Sequence, residues 1–69
     1  MSVERIGEAA GTVWAALKEK GPSDAARLQK ATGLPKDLVD QAIGWLAREG
    51  KIEFTDLGKR TTIGLKAEV

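Results

Sequence analysis

The run Ala31-Thr32-Gly33-Leu34-Pro35 constrains this chain more than any other. It lies between two stretches of helical periodicity, and the second of them closes on Arg48-Glu49-Gly50-Lys51-Ile52. Gly33 can take the left-handed conformation that ends one helix and redirects the chain at little steric cost. Leu34 can then drop between the two helices, and Pro35 suits the start of the next one, where a backbone donor is unpaired anyway. The expected order is a short helix, a glycine corner, a longer helix, a glycine stop and a strand.

The rest of the chain extends this frame at both ends. Val3, Ile6, Ala10, Val13 and Leu17 recur every three or four residues, which predicts an amphipathic helix to about Lys20, capped by Ser2 with Glu4 in its first turn. Gly21-Pro22 stops it. Ser23 is expected to cap a second helix running to about Thr32, with Asp24 in its first turn. Val39, Ala42, Ile43 and Leu46 give the third helix its inner face. The period then changes to two: Ile52 and Phe54, then Thr61, Ile63 and Leu65, alternate with polar residues or glycine around a turn at Asp56-Leu57-Gly58-Lys59. That predicts a two-stranded hairpin with one face on the helices and one in water.

These elements define a mainly α fold with a small antiparallel β-hairpin: a three-helix bundle plus a wing, the winged helix-turn-helix. Sixty-nine residues suffice for one domain, expected over residues 1–65, with 66–69 as a frayed tail. A core this small leaves a thin stability margin, which dimerisation would supplement. The chain has no cysteine, histidine or tyrosine, so thiolate chemistry and imidazole bases or ligands are excluded. Neither a signal-peptide pattern at Met1-Ser2-Val3-Glu4-Arg5 nor an apolar run of membrane-spanning length is present, so a cytoplasmic protein without membrane contact is expected. Eleven basic and ten acidic side chains leave a net charge of +1, so any affinity for nucleic acid must come from a local patch.

Gly7, Ala10-Gly11, Val13-Trp14 and Leu17, then Ala31-Thr32-Gly33-Leu34, then Ala42-Ile43-Gly44-Trp45-Leu46-Ala47-Arg48-Glu49-Gly50-Lys51-Ile52 carry a resemblance over nearly the whole chain. It resembles a small family of stand-alone winged helix-turn-helix proteins of bacteria and archaea with no assigned function. The Gly-Trp-Leu-Ala-Arg-Glu-Gly-Lys-Ile segment is the specific part, because many unrelated winged helices share Thr-Gly-Leu. The resemblance implies the fold, a single-domain chain and DNA binding by analogy. Fold alone does not establish function.

The exposed N-terminal part of the second motif helix is the element that reaches base edges in such folds. Opposite its buried stripe the third helix carries Lys36, Asp37, Asp40, Gln41, Gly44 and Arg48. Lysine can pair with guanine and glutamine with adenine, whereas Asp37 and Asp40 would meet phosphates as like charges. Arg27 and Lys30 on the second helix, with Lys59 and Arg60 at the wing tip, are expected as phosphate contacts, which position a protein without specifying sequence. The DNA-binding reading therefore rests on Lys36, Gln41, Arg48, Arg27, Lys30, Lys59 and Arg60, in a transcriptional regulator acting on double-stranded DNA as a dimer.

The alternative is a winged helix that binds protein and does not read DNA. Gly7 and Gly11 lie one turn apart beside Trp14 on the first helix, and interior glycine costs a helix roughly 1 kcal/mol against alanine. Something approaches that flank closely, either the same chain or a second copy. Trp45 projects off the core stripe on the side of Leu38, either as an extension of the core or as an exposed apolar patch. Leu38, Trp45, Gly7, Gly11 and Trp14 are the interaction surface of this reading. No enzyme is expected: the carboxylates are scattered, and a P-loop lysine is absent from Gly7-Glu8-Ala9-Ala10-Gly11. No cofactor, metal or small-molecule ligand is expected either, since so small a domain offers little concavity.

Overall fold

The computed structural model describes residues 3–66. Three helices, α1 (Val3–Lys20), α2 (Ala25–Thr32) and α3 (Lys36–Arg48), precede strands β1 (Ile52–Leu57) and β2 (Arg60–Leu65). The strands pair antiparallel, with Ile52 opposite Leu65, Phe54 opposite Ile63 and Asp56 opposite Thr61. This is the expected winged helix-turn-helix. No helix among the described residues is long and apolar enough to cross a membrane.

Glycine ends each helix as expected. Gly33 takes φ 71° and its N–H donates to the Gln29 carbonyl, closing α2. The corner is secured by Thr32, whose Oγ1 donates to the Leu28 carbonyl at 2.7 Å and accepts from the Leu34 N–H at 3.3 Å. Gly21 and Gly50 also have positive φ. At the wing, Gly58 has φ 68° and Lys59 does not share its sign, the pattern of a type II′ two-residue hairpin loop. The turn is thus tighter than the four residues expected, and Asp56 and Leu57 remain in β1.

One local expectation is corrected. Asp24, not Ser23, caps α2: its Oδ1 accepts the Arg27 N–H at 2.8 Å. Ser23 is buried and extended, and both its backbone groups pair with Ile63, N–H to O at 2.9 and 2.8 Å. A one-residue bridge thereby ties the α1–α2 connection to the free edge of β2. It carries no sequence period, and Ser23 beside Gly21-Pro22 resembles a cap. The Ser2 cap lies outside the described residues. Of the expected tail, Lys66 donates its N–H to the Lys51 carbonyl, and residues 67–69 lie outside the description.

The core is one cluster: Ala9, Ala10, Val13 and Leu17 from α1, Leu28 from α2, Leu38, Val39, Ala42, Ile43 and Leu46 from α3, and Ile52 and Ile63 from the hairpin. α1 and α3 bury the stripes their period placed inward, except that Val3 is 66% exposed and that Leu38, expected beside the α3 stripe, is buried with it. Phe54 departs from that pattern. It shares the inner face of the hairpin with Ile52 and lies opposite the buried Ile63, yet is 51% exposed.

Candidate nucleic-acid interface

The end of α1 and the start of α2 meet at Gly21-Pro22-Ser23, and this junction gathers positive charge. Lys20, Arg27 and Lys30 line one shallow groove there with Pro22, Ser23 and Ala31, about 330 Å³ in volume. A second, smaller depression of about 80 Å³ joins Arg27 to Arg60 on β2, across Ser23 and Thr62. Arg27 belongs to both, so Lys20, Arg27, Lys30 and Arg60 form one continuous basic surface. The Ser23–Ile63 bridge makes this possible, because it holds the base of the wing against the start of α2. All four cations are exposed, and among the described residues their side chains make no ion pair or hydrogen bond. The carboxylate within the surface, Asp24, is occupied at the N-terminus of α2 by the Arg27 N–H.

The third helix offers less. Lys36 Nζ lies 3.1 Å from Asp40 Oδ2, an i,i+4 ion pair on the outer face. The cation best placed to enter a groove is therefore already paired with one of the two carboxylates that oppose DNA. Asp37 turns back to accept the Leu38 N–H at 3.0 Å. Gln41 and Arg48 are exposed on the same helix, and Gly44 presents backbone between them. At the wing tip Lys59 is exposed, but Asp56 and Thr61 sit just behind it, with Thr61 Oγ1 donating to Asp56 Oδ1 at 2.9 Å.

The expected DNA-contact residues thus divide. Arg27, Lys30 and Arg60 come together, while Lys36, Gln41, Arg48 and Lys59 line neither basic groove. Lys20 joins the surface without having been expected there. Its position immediately before Gly21-Pro22, which folds α1 back toward α2, was the available signal.

The expected protein-contact residues divide too. Leu38 is 2% exposed and belongs to the core, so it is no part of a surface. Leu38 lies in the first turn of α3 and belongs to the core cluster that also holds residues of α1 and α2, which is why the patch with Trp45 does not form. Trp45 is half-buried, however, and joins Gly7, Gly11 and Trp14 in a groove of about 330 Å³ between α1 and α3, with Ala10 and Leu46 at its floor and Glu49 and Lys51 at its mouth. A Cβ added at Gly7, Gly11 or Gly44 would meet nothing within 4 Å. Packing within the chain therefore does not account for these glycines.

Three helices, a glycine-cornered turn and a hairpin pinned by Ser23 define the class: a winged helix-turn-helix domain. More narrowly, the chain belongs to the winged helix-turn-helix domain family DUF2582, whose family model matches residues 1–65. It is 39% identical over 64 residues to an uncharacterized protein, MJ1608, of Methanocaldococcus jannaschii, covering 90% of this chain and 91% of that one. Among solved structures it is similar to a chain of HOP2, with 35% identity and a TM-score of 0.68, covering 84% of this chain and 98% of that chain. That structure was described for DNA recognition and protein interaction domains and for the homologous DNA pairing properties of HOP2.

Proposed function

We propose that this protein binds double-stranded DNA, and that it does so chiefly through the phosphate backbone. The observation that carries the reading is the convergence of Lys20, Arg27, Lys30 and Arg60 on one surface built by the end of α1, α2 and the start of β2. Four exposed cations on a chain of net charge +1 make a local field that the total conceals. The similarity to HOP2, described for DNA recognition, supports the same reading.

The third helix decides how much sequence is read. With Lys36 paired to Asp40 and Gly44 bare, Gln41 and Arg48 remain as base-reading side chains. A duplex would be held in register by phosphates, with weak discrimination between sites. A role in regulating transcription would rest on those two side chains alone.

The test is an NMR titration of the labelled chain with a mixed-sequence duplex across a salt series. If all four cations neutralise phosphates, log K falls with log salt at a slope of roughly −3 to −4. Arg27→Ala or Arg60→Ala should each reduce that slope by about one, while Gln41→Ala leaves it unchanged. Absence of binding at low salt, or an Arg27→Ala variant with an undiminished slope, would overturn the proposal.

A further inference from the structure

We infer that the α1–α3 groove is the seat of a second copy of this chain, with α1 packed antiparallel against its symmetry mate and Gly11 at the two-fold axis. This does not depend on the DNA reading, since the groove and the basic surface share no lining residue.

The groove is walled by Trp14 and Trp45, both half-buried, and its open side is the glycine flank of α1. Gly7 and Gly11 are disfavoured inside a helix, and nothing in the chain comes within 4 Å of where their side chains would be. Glycine one turn apart lets another backbone approach closely, and no such backbone is present among the described residues.

Charge selects the occupant. Along α1 the outward residues Glu4, Gly7, Gly11, Ala15 and Lys18 fall on one face at three- and four-residue spacing. In an isologous pair, position i of one copy meets a fixed j of the other, and the reverse. With Gly11 opposite Gly11 in an antiparallel pair, Gly7 faces Ala15 and Glu4 faces Lys18, twice over by symmetry. Small residues then meet small residues at the centre, and opposite charges meet at both ends. A parallel pair would instead set Glu4 against Glu4 and Lys18 against Lys18. Lys18 Nζ lies 5.2 Å from the ring centroid of Trp14, which lines the groove. The helix face is therefore complementary to its own antiparallel copy in one register.

Sedimentation of the full chain without DNA tests this. The expected result is a concentration-dependent dimer. Glu4→Lys and Lys18→Glu should each weaken it roughly threefold to tenfold, since each puts like charges at both ends of the contact. The double variant E4K/K18E should restore the affinity, because the swap recreates both pairs. Gly11→Leu should abolish the dimer while circular dichroism keeps the helical spectrum, as the added side chain projects into open space in one copy. A monomer throughout the accessible concentration range would overturn the inference and leave the groove to a different protein. A dimer that Gly11→Leu leaves intact, or that the charge swap does not restore, would overturn the α1 register.

Discussion

Alanine at Gly7 or Gly11 should stabilise the isolated chain, although glycine inside a family-defining segment invites the opposite expectation. The gain has two parts. Alanine is favoured over glycine in a helix interior by about 0.8–1 kcal/mol. A Cβ at either position meets no atom within 4 Å, so no repacking cost is subtracted. For a domain of this size 1 kcal/mol corresponds to about 4–8 °C in Tm. Each single variant should therefore melt about 4–8 °C higher, and the pair, which shares no partner, should add. Gly33→Ala is the internal contrast. There φ is 71°, and the left-handed region costs an L-residue about 1–2 kcal/mol, so Tm should fall by a similar interval. The assay is thermal denaturation by circular dichroism in dilute protein, where association contributes nothing. A lower Tm for Gly7→Ala or Gly11→Ala under those conditions would refute the open-flank geometry. At higher concentration the wild-type chain gains stability by mass action and Gly11→Ala does not, so the advantage of the variant should shrink.

Further outcomes follow from single contacts. Asp24→Ala removes the α2 cap and should cost about 1 kcal/mol in a urea melt. Asp24→Asn keeps the cap, removes a carboxylate from between Arg27 and Arg60, and should tighten DNA binding in the same titration. Asp40→Asn releases Lys36 at a stability change within about 0.5 kcal/mol, because the pair is exposed, and should also raise DNA affinity. Leu28→Ala empties a fully buried site where all three helices meet, with an expected loss of about 2–5 kcal/mol. In a domain whose total stability is only about 5–10 kcal/mol, that loss should appear as a large fall in the urea midpoint.

The elements of this fold were legible because their signals are local. Gly21, Gly33 and Gly50 end helices by backbone conformation, and the stripes of α1 and α3 repeat at helical spacing. What escaped depends on contacts distant in the chain. Ser23 joins the sheet through a bond to Ile63, forty positions away, and a single bridged residue has no period to read. The consequence is functional, since that bridge brings Arg60 to Arg27 and admits Lys20 to the surface. The position of Leu38 beside Trp45 leaves a core extension and an exposed patch both open, because a helical wheel measures angle but not which neighbours flank the helix. The spacing of Gly7 and Gly11 marks a glycine flank on α1 but carries no sign that it stands open or that Trp45 joins its groove, because both depend on how α3 packs.

The two surfaces bear on each other through charge and geometry even though they share no residue. One copy offers four exposed cations, enough for a salt-sensitive and weak hold on a duplex. A two-fold pair built on α1 leaves both basic surfaces open, since the groove uses neither α2 nor the wing. Where the pair can span one duplex, the second surface engages intramolecularly, and the salt slope should approach twice that of the monomer. Weak base reading by α3 is then less of a handicap, because two phosphate-bound copies fix each other's register. The α1 variants that abolish the dimer should consequently halve the slope without touching any residue near the DNA. A slope that is the same for the wild-type chain and for Gly11→Leu would mean that only one copy reaches the duplex at a time.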